Sequence, residues 1–243
     1  MQPTTPHDPE LSQEPSRPSE KVSLLGGYRF RVCEDEESFA AALELRGEVF
    51  VGDFGYDVPV PDEYDHRSWL LLAETEEGEV VGTMRVTPRM FGALESEEYF
   101  RLPPRIAGPK TVEISRLAIR RSHRRPHVGP AVAVGLFKLC YELVTAIGAE
   151  HQVICSKAEK LPTYAAMGFE STGLTAWYEK LNGVLHELLV NDFPASAPKL
   201  EDDFFRALFC DMSFPEVELP SGIPPIGLVV TPVLESFRLA ACA

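Results

Sequence analysis

The sequence predicts an α/β domain with a mixed central β-sheet flanked by helices. Its 243 residues are 44% hydrophobic and 25% charged, an ordinary globular composition that can build one sizeable core. Short stretches in which apolar and polar residues alternate are interleaved with stretches of helical spacing. The resulting order is strand, helix, three strands, helix, strand, helix and strand, which is typical of an α/β domain.

Alternation, turn residues and helical spacing place the elements of the first half of the chain. We predict, in order, a strand at 28–34, a helix at 35–51 with acids in its first turn, a loop at 52–66, strands at 68–75 and 79–88 joined by a Glu77-Gly78 turn, and an irregular segment at 89–110 with a short helix near 94–100.

The second half of the chain begins with a strand that contains two charged residues, Glu113 and Arg116. We predict a strand at 112–119, an apolar helix at 130–149, a strand at 151–157, a short helix at 158–168, strands at 169–178 and 183–191, and an amphipathic helix at 200–212. Residues 1–25 are rich in Pro, Ser and Glu and are predicted to be a disordered tail. The folded domain would span 26–195, followed by an extension of unknown role at 196–243.

Charge and cysteine usage exclude several classes of protein. The net charge of −14 argues against general nucleic-acid binding. Five scattered cysteines without a CxxC pair, and six dispersed histidines, argue against a disulfide framework or a metal site and favour a reducing cytoplasm. We find no uninterrupted apolar run of the roughly 18 residues that span a membrane, and no signal-peptide pattern. The protein is therefore expected to be cytoplasmic and not transmembrane.

A basic loop follows the strand at 112–119 in this otherwise acidic chain. It contains Arg120, Arg121, Arg124 and Arg125, and it leads into a helix that starts near Gly129. Helix N-termini and clustered arginines bind phosphate groups, so a phosphate site is one interpretation. A solvated basic turn is the other, and charge alone favours neither. The strand directly before the loop favours the phosphate site.

Two charged residues, Glu113 and Arg116, lie within the apolar strand itself. Regular alternation places 113 and 115 on one face and 114 and 116 on the other. A buried charge costs free energy unless it is paired or used, so Glu113 is a candidate general base with a raised pKa. The alternative is that Glu113 lies at the edge of the sheet or pairs with an arginine, and the strand taken alone favours that alternative.

Three further charged residues precede this strand. Asp62 and Asp65 lie in a loop that is usually just a solvated turn, although the pair could bind an amine or a metal. Arg85 is a second charge inside a predicted strand, and Asp62, Asp65 and Glu113 are its candidate partners. No serine occupies a nucleophile elbow, and the cysteines are better explained as core residues.

The strand, basic loop and helix together resemble the acyl-thioester-binding signature of GNAT-fold acyltransferases. Arg125 precedes Gly129 by four residues, one more than is usual in that family, and Ala131 follows Gly129 by two. A more specific resemblance is to the acyl-homoserine-lactone synthases and the long-chain N-acyl amino acid synthases. The matching segments, in order, are R46-x3-F50, D62-E-Y-D65, G82-T-M-R85, F100-R-L and E113-I-S-R116.

The resemblance implies a role for each matching residue. Glu113 would be the proposed base, and a charged cluster would order the N-terminal helix and its loop over the site; its other members are Arg46, Asp62, Asp65, Arg85 and Arg116. Backbone amides and arginines would bind the acyl donor, through Leu117, Ala118, Ile119, Arg120, Arg121, Arg124, Arg125, His127, Val128, Gly129 and Ala131. The donor would be a thioester of acyl carrier protein or coenzyme A, and the acceptor a small amine. No metal or permanently bound cofactor is implied.

Three functions remain open at this point. The first is an N-acyl amino acid synthase, favoured because the region around Tyr56 lacks the tryptophan usual in lactone synthases and the chain continues past residue 200. The second is an acyl-homoserine-lactone synthase that uses S-adenosylmethionine. The third is a GNAT-like protein that binds an acyl ligand or partner without turnover. A small-acyl transferase is disfavoured by the segments at 62–65 and 112–116.

Overall fold

A computed structural model describes residues 27–126, 128–213, 217–221 and 223. The predicted tail at 1–25 lies outside these residues. Seven strands form one sheet: β1 (Tyr28–Val32), β2 (Trp69–Thr75), β3 (Val80–Pro88), β4 (Thr111–Ile119), β5 (His151–Ser156), β6 (Glu170–Tyr178) and β7 (Val184–Asn191). The α-helices of the described residues are α1 (Glu36–Arg46), α2 (Val128–Ala146), α3 (Leu161–Ala166) and α4 (Asp203–Cys210).

The strand order across the sheet is β1-β2-β3-β4-β5-β7-β6. Only β4 and β5 are parallel, and every other neighbouring pair is antiparallel. The parallel pair is joined through α2, the crossover that parallel strands require. The sheet is therefore mixed and has helices on its faces, which confirms the predicted fold class.

The first helix is shorter than the predicted helix at 35–51. The Asp35 side chain caps α1 by accepting a hydrogen bond from the Ser38 amide at 2.7 Å. After Arg46 the chain continues as a π-helical turn over Gly47–Asp53. Such turns are rare and often occur at functional sites.

Helix α2 packs closely on one face of the sheet, over the strands at the β1 end. A Cβ atom added to Gly135 would lie 2.0 Å from the Phe30 ring, and one added to Gly82 on β3 would lie 2.6 Å from Val132. Both positions therefore require glycine for close packing. The apolar residues of α2 form part of the core on this face of the sheet.

The length and composition of α2 also meet the criteria for a membrane-spanning helix. It has 19 residues and a mean hydropathy of 1.4, although Lys138 and Glu142 interrupt its apolar residues, so the expectation that the protein is not transmembrane stays a prediction. Half of the segment is buried against the protein. Its contacts with the sheet and α4 are those of a core helix in a globular domain.

The opposite face of the sheet carries two smaller apolar clusters. One lies under α1 and contains Leu45, Leu70 and Leu72; the other contains Leu94 and Val153. Between them lie the charged residues described in the next section.

Part of the segment after residue 195 also contributes to the core. Leu208 and Phe209 of α4 are buried, and Phe209 packs against Tyr141 of α2 with ring centroids 5.1 Å apart. Glu218 lies beside β1 and forms an ion pair with Arg29 at 2.7 Å. The division into tail, domain and extension stays a prediction.

Candidate active site

The two parallel strands diverge in the middle of the sheet. Strands β4 and β5 are paired from Thr111 and His151 up to Glu113 and Val153. Beyond this point β4 continues beside β3 to Ile119, whereas β5 is paired only with β7. An opening therefore begins next to Glu113 and widens toward the basic loop.

A β-bulge interrupts β4 at the start of this opening. Arg85 of β3 is opposite Ser115, but Thr83 is opposite Ala118, so two residues of β4 face one residue of β3. Arg116 has a φ of 55°, which is uncommon for a residue other than glycine. The bulge breaks the alternation, and the Arg116 side chain shares carboxylate partners with that of Arg85. The prediction that Arg116 faces away from Glu113 is therefore wrong.

Three arginines and three carboxylates form one buried network: Arg46, Arg85, Arg116, Asp62, Asp65 and Glu95. The side chains of Arg46 and Arg85 are completely buried. Opposite charges balance within the network, as the burial of so many ions requires. The structure thus brings the five predicted residues Arg46, Asp62, Asp65, Arg85 and Arg116 together.

Arg46 connects α1 to the loop that carries the two aspartates. Its guanidinium pairs with Asp65 and lies 3.4 Å from Asp62. The Asp65 carboxylate also accepts a hydrogen bond from the Asp62 amide at 2.8 Å. These contacts fix the position of α1 over the sheet.

Arg85 and Arg116 connect the sheet to the same carboxylates. Arg85 donates to Glu95 at 2.6 Å and to Asp65 at 3.1 Å, and it also pairs with Asp62. Arg116 donates to Glu95 at 2.6 Å and to Asp62 at 3.0 Å. Because of these hydrogen bonds, loss of any one member would remove a partner from a buried charge and leave the charges of the network unbalanced.

Glu113 lies next to this network but forms no ion pair with any residue that the structure describes. It is 3% exposed, and its Oε2 accepts hydrogen bonds from the Ser96 amide at 3.0 Å and the Ser96 hydroxyl at 3.1 Å. Burial, assisted by the negative charge of Glu95, raises the pKa of Glu113 to about 7, against the lowering effect of the Ser96 hydrogen bonds. Neither an edge position nor an arginine partner explains this residue.

Sequence reasoning missed Glu95 and Ser96. Both belong to a short acidic segment, ESEE, that is typical of a solvated turn. In the structure Glu95 bridges Arg85 and Arg116, and Ser96 is completely buried. No local pattern distinguishes these residues from their exposed neighbours; only the fold of the irregular segment reveals them.

Within the basic loop, Arg120 and Arg124 are already paired with carboxylates. Arg120 bonds Glu48 at 2.6 Å, and Arg124 bonds Asp53 at 2.6 Å. The Arg124 guanidinium also lies over the Phe54 ring, 4.8 Å from its centroid. These two arginines attach the loop to the π-helical turn after α1, which limits their availability to a ligand.

The remaining loop arginines face solvent. The Arg121 side chain is 83% exposed, and Arg125 is exposed. The amides of Val128 and Gly129 donate to the Arg125 carbonyl at 3.1 and 3.0 Å, and Pro130 has no amide hydrogen. The amides at 128 and 129 are therefore not free donors, contrary to expectation.

The other predicted donor-binding residues fall into three groups. Gly129 permits a close approach of α2 to the loop, because an added Cβ would lie 3.2 Å from the His123 carbonyl. Ala131 is half-buried on α2, and His127 lies outside the described residues. Leu117, Ala118 and Ile119 lie on β4 beside the opening; Ala118 is buried, and its two neighbours are half-buried.

Comparison with known proteins places the chain in a family. The family model described as N-acyl amino acid synthase FeeM matches residues 41–189, more than half of the chain. A comparison with curated protein sequences gives no significant match.

Several solved structures share the fold. The CoA-dependent acyl-homoserine lactone synthase BjaI, solved with methylthioadenosine (MTA), is 20% identical, with a TM-score of 0.61 over 88% of this chain and 100% of that one. FeeM, an N-acyl amino acid synthase from uncultured soil microbes, is 13% identical, with a TM-score of 0.58 over 73% and 97%. TofI, in a complex with an inhibitor and MTA, is 20% identical, with a TM-score of 0.55 over 74% and 98%.

These structural similarities establish a fold shared with GNAT acyltransferases. The family model establishes the class of protein. The chain belongs to the FeeM family of N-acyl amino acid synthases and is an N-acyltransferase.

Proposed function

We propose that this acyltransferase moves a fatty acyl group from a carrier-protein or coenzyme A thioester to the amine of an amino acid. The single observation that carries the chemistry is Glu113, a buried carboxylate at the point where β4 and β5 diverge. Its pKa of about 7 suits a general base at neutral pH.

The reaction needs few other groups. Glu113 takes a proton from the acceptor ammonium, directly or through water, and the neutral amine attacks the thioester carbonyl. A tetrahedral oxyanion forms and then collapses as the carbon–sulfur bond breaks. The attacking nitrogen loses a second proton and the leaving thiolate takes up a proton, so the products are an amide and a thiol. In this proposal, backbone amides at the bulge near Leu117 stabilise the oxyanion. No covalent enzyme intermediate is required.

The acyl donor enters through the opening between β4 and β5. Its pantetheine arm lies along the backbone of Leu117, Ala118 and Ile119, in the place of the absent strand partner. The exposed Arg121 and Arg125 attract the phosphate of the arm or an acidic carrier protein. The location of Arg121 and Arg125 in the basic loop, at the wide end of the opening, supports this arrangement.

Substitution of Glu113 tests the proposed base. Glu113→Gln should abolish most turnover and leave donor binding nearly intact, with Glu170→Gln, an exposed carboxylate of β6, as the control. Cultures that express each form are extracted and compared by mass spectrometry, and purified protein is assayed with acyl-carrier and acyl-CoA thioesters. A fatty acid joined to an amino acid is the expected product. Unchanged turnover in Glu113→Gln would show that Glu113 is not the base. A homoserine-lactone product would show that the acceptor is S-adenosylmethionine and not an amino acid.

A charge reversal tests the donor-binding surface. Arg121→Glu with Arg125→Glu should raise the apparent KM for the donor about tenfold at low salt, and high salt should reduce the difference. The matched control reverses Arg101 and Arg105, two exposed arginines outside the basic loop. Equal donor KM values in both double variants would contradict this assignment.

We propose a reducing compartment, the cytoplasm, for this protein. The four cysteines in the described part of the chain are unpaired, and Cys33 and Cys140 are buried as thiols.

A further inference from the structure

Tyr178 places a hydroxyl near Glu113 from the far edge of the sheet. The residue belongs to the edge strand β6, yet its hydroxyl lies beside the Cys155 thiol on β5, with β7 between the two strands. Its ring stacks on Tyr99 with centroids 3.9 Å apart and lies 4.5 Å from the His186 ring. The side chain is therefore held in one orientation, directed toward the opening between β4 and β5.

The Tyr178 hydroxyl is buried without a hydrogen bond of normal geometry among the described residues. The whole residue is 6% exposed, and the thiol beside the hydroxyl is only a weak partner. An unsatisfied buried polar group costs about 1–3 kcal/mol, so natural proteins keep few of them. A phenylalanine would give the same packing without this cost.

A second unsatisfied donor lies in the same region. The Nε of Arg116 is buried without a hydrogen-bond partner in the described structure, although its Nη2 binds Asp62 and Glu95. Arg116 pairs with Glu95, and Tyr99, four residues further along the same short segment, stacks on Tyr178. One segment of the chain thus contacts both side chains, and both donors lack an acceptor among the described residues.

The third element is the unused oxygen of Glu113. Both hydrogen bonds from Ser96 end on Oε2, and among the described residues no hydrogen bond ends on Oε1. Glu113 and Tyr178 interact electrostatically. A ligand in contact with all three groups would meet one proton acceptor and two proton donors.

We propose that Tyr178 Oη and Arg116 Nε bind the carboxylate of an α-amino acid whose amine faces Glu113. An α-amino acid carries an ammonium and a carboxylate on one carbon, the combination that fits one acceptor and two donors. This inference rests on the proposed function and adds the residues that distinguish an amino acid from a simple amine. Burial raises the pKa of the Tyr178 hydroxyl, so the group remains protonated and able to donate.

The first test measures stability and needs no substrate. Tyr178→Phe removes a hydroxyl that has no good partner, so the free energy of unfolding should stay the same or rise. Tyr64→Phe is the matched control, because the Tyr64 hydroxyl donates to Glu98 at 2.6 Å and its loss should lower stability. If Tyr178→Phe is destabilised as much as the control, the hydroxyl has a structural partner and the proposal is overturned.

The second test measures acceptor choice. Purified enzyme, an acyl thioester and an equimolar mixture of the twenty amino acids and their primary amides are incubated, and the products are resolved by mass. The wild type should prefer acids over the matching amides, and Tyr178→Phe should reduce that ratio about tenfold, as expected for a hydrogen bond to a charged group. If Tyr178→Phe lowers the yields of acylated acids and acylated amides equally, the hydroxyl does not recognise the carboxylate, and the proposal is overturned. Absence of any product would overturn the proposed function itself.

Discussion

Replacing Glu113 by Gln should make the protein more stable at neutral and alkaline pH. The carboxylate is buried, has no cationic partner among the described residues, and lies near Glu95. A glutamine keeps an oxygen that accepts both hydrogen bonds from Ser96, and it carries no charge at any pH. The substitution therefore isolates the free energy of keeping this carboxylate ionised inside the protein.

The magnitude follows from the pKa of Glu113. The folded-state pKa is about 7, whereas the ordinary value of 4.5 applies to the unfolded chain. Between these values the folded state holds a proton that the unfolded state has lost, so stability falls as the pH rises. The loss begins near pH 4.5 and is complete just above pH 7. At about 1.4 kcal/mol per pH unit, the shift corresponds to roughly 3 kcal/mol.

Urea unfolding of wild type and Glu113→Gln at several pH values between 4.5 and 8 provides the assay. The difference in unfolding free energy between the two proteins should grow by about 3 kcal/mol over this range in favour of the variant. Other titrating groups are common to both proteins and cancel in the difference. Glu170→Gln should show no such trend, since that residue is exposed. A pH-independent difference for Glu113→Gln would refute the raised pKa.

Three further predictions concern the buried network, the core and the pH profile. Arg46→Leu should lower the unfolding free energy by about 3–5 kcal/mol, because it removes one of the two arginines that pair with the buried Asp65; adding Asp65→Leu should restore part of the loss in urea titrations. Gly135→Ala should cost more than the usual 1–3 kcal/mol of an overpacked core, since its Cβ would overlap the Phe30 ring, and Phe30→Leu should relieve part of the drop in melting temperature. With Glu113 as the base, kcat/KM should rise with pH up to an inflection near 7, and an inflection near 4.5 would contradict its burial.

The strands and the long helix could be predicted because each has a simple period. Strand β4, predicted at 112–119 and found at Thr111–Ile119, is a good example. The π-helical turn after Arg46 was not predictable, because GEVFVGD has no pattern that separates it from an ordinary helix end. The bulge at Arg116 also escaped detection, since a bulge depends on the register against Thr83 and Arg85 of the neighbouring strand.

The sequence identified several charged residues as candidates, but it predicted only part of the site that they form together. Arg85 and Glu113 stood out because a charge inside an apolar strand needs a reason, whereas Arg46 was identified only through the family resemblance. Their partners could be proposed from the order of short motifs, but Glu95 and Tyr178 could not. Both occur in ordinary surroundings in the sequence, and both reach the site through contacts between elements far apart in the chain.

The network and the base are physically linked through Glu95. Three arginines and three carboxylates already balance, and Glu113 is a further carboxylate that forms no ion pair with an arginine in the described part of the chain. Glu95 cancels positive charge on Arg85 and Arg116, and the same negative charge adds to the burial that raises the pKa of Glu113. A partner arginine would stabilise Glu113 as an anion and lower its affinity for a proton. The network thus holds α1 in place, and the negative charge of Glu95 opposes the effect of Arg85, whose positive charge lowers the pKa of Glu113.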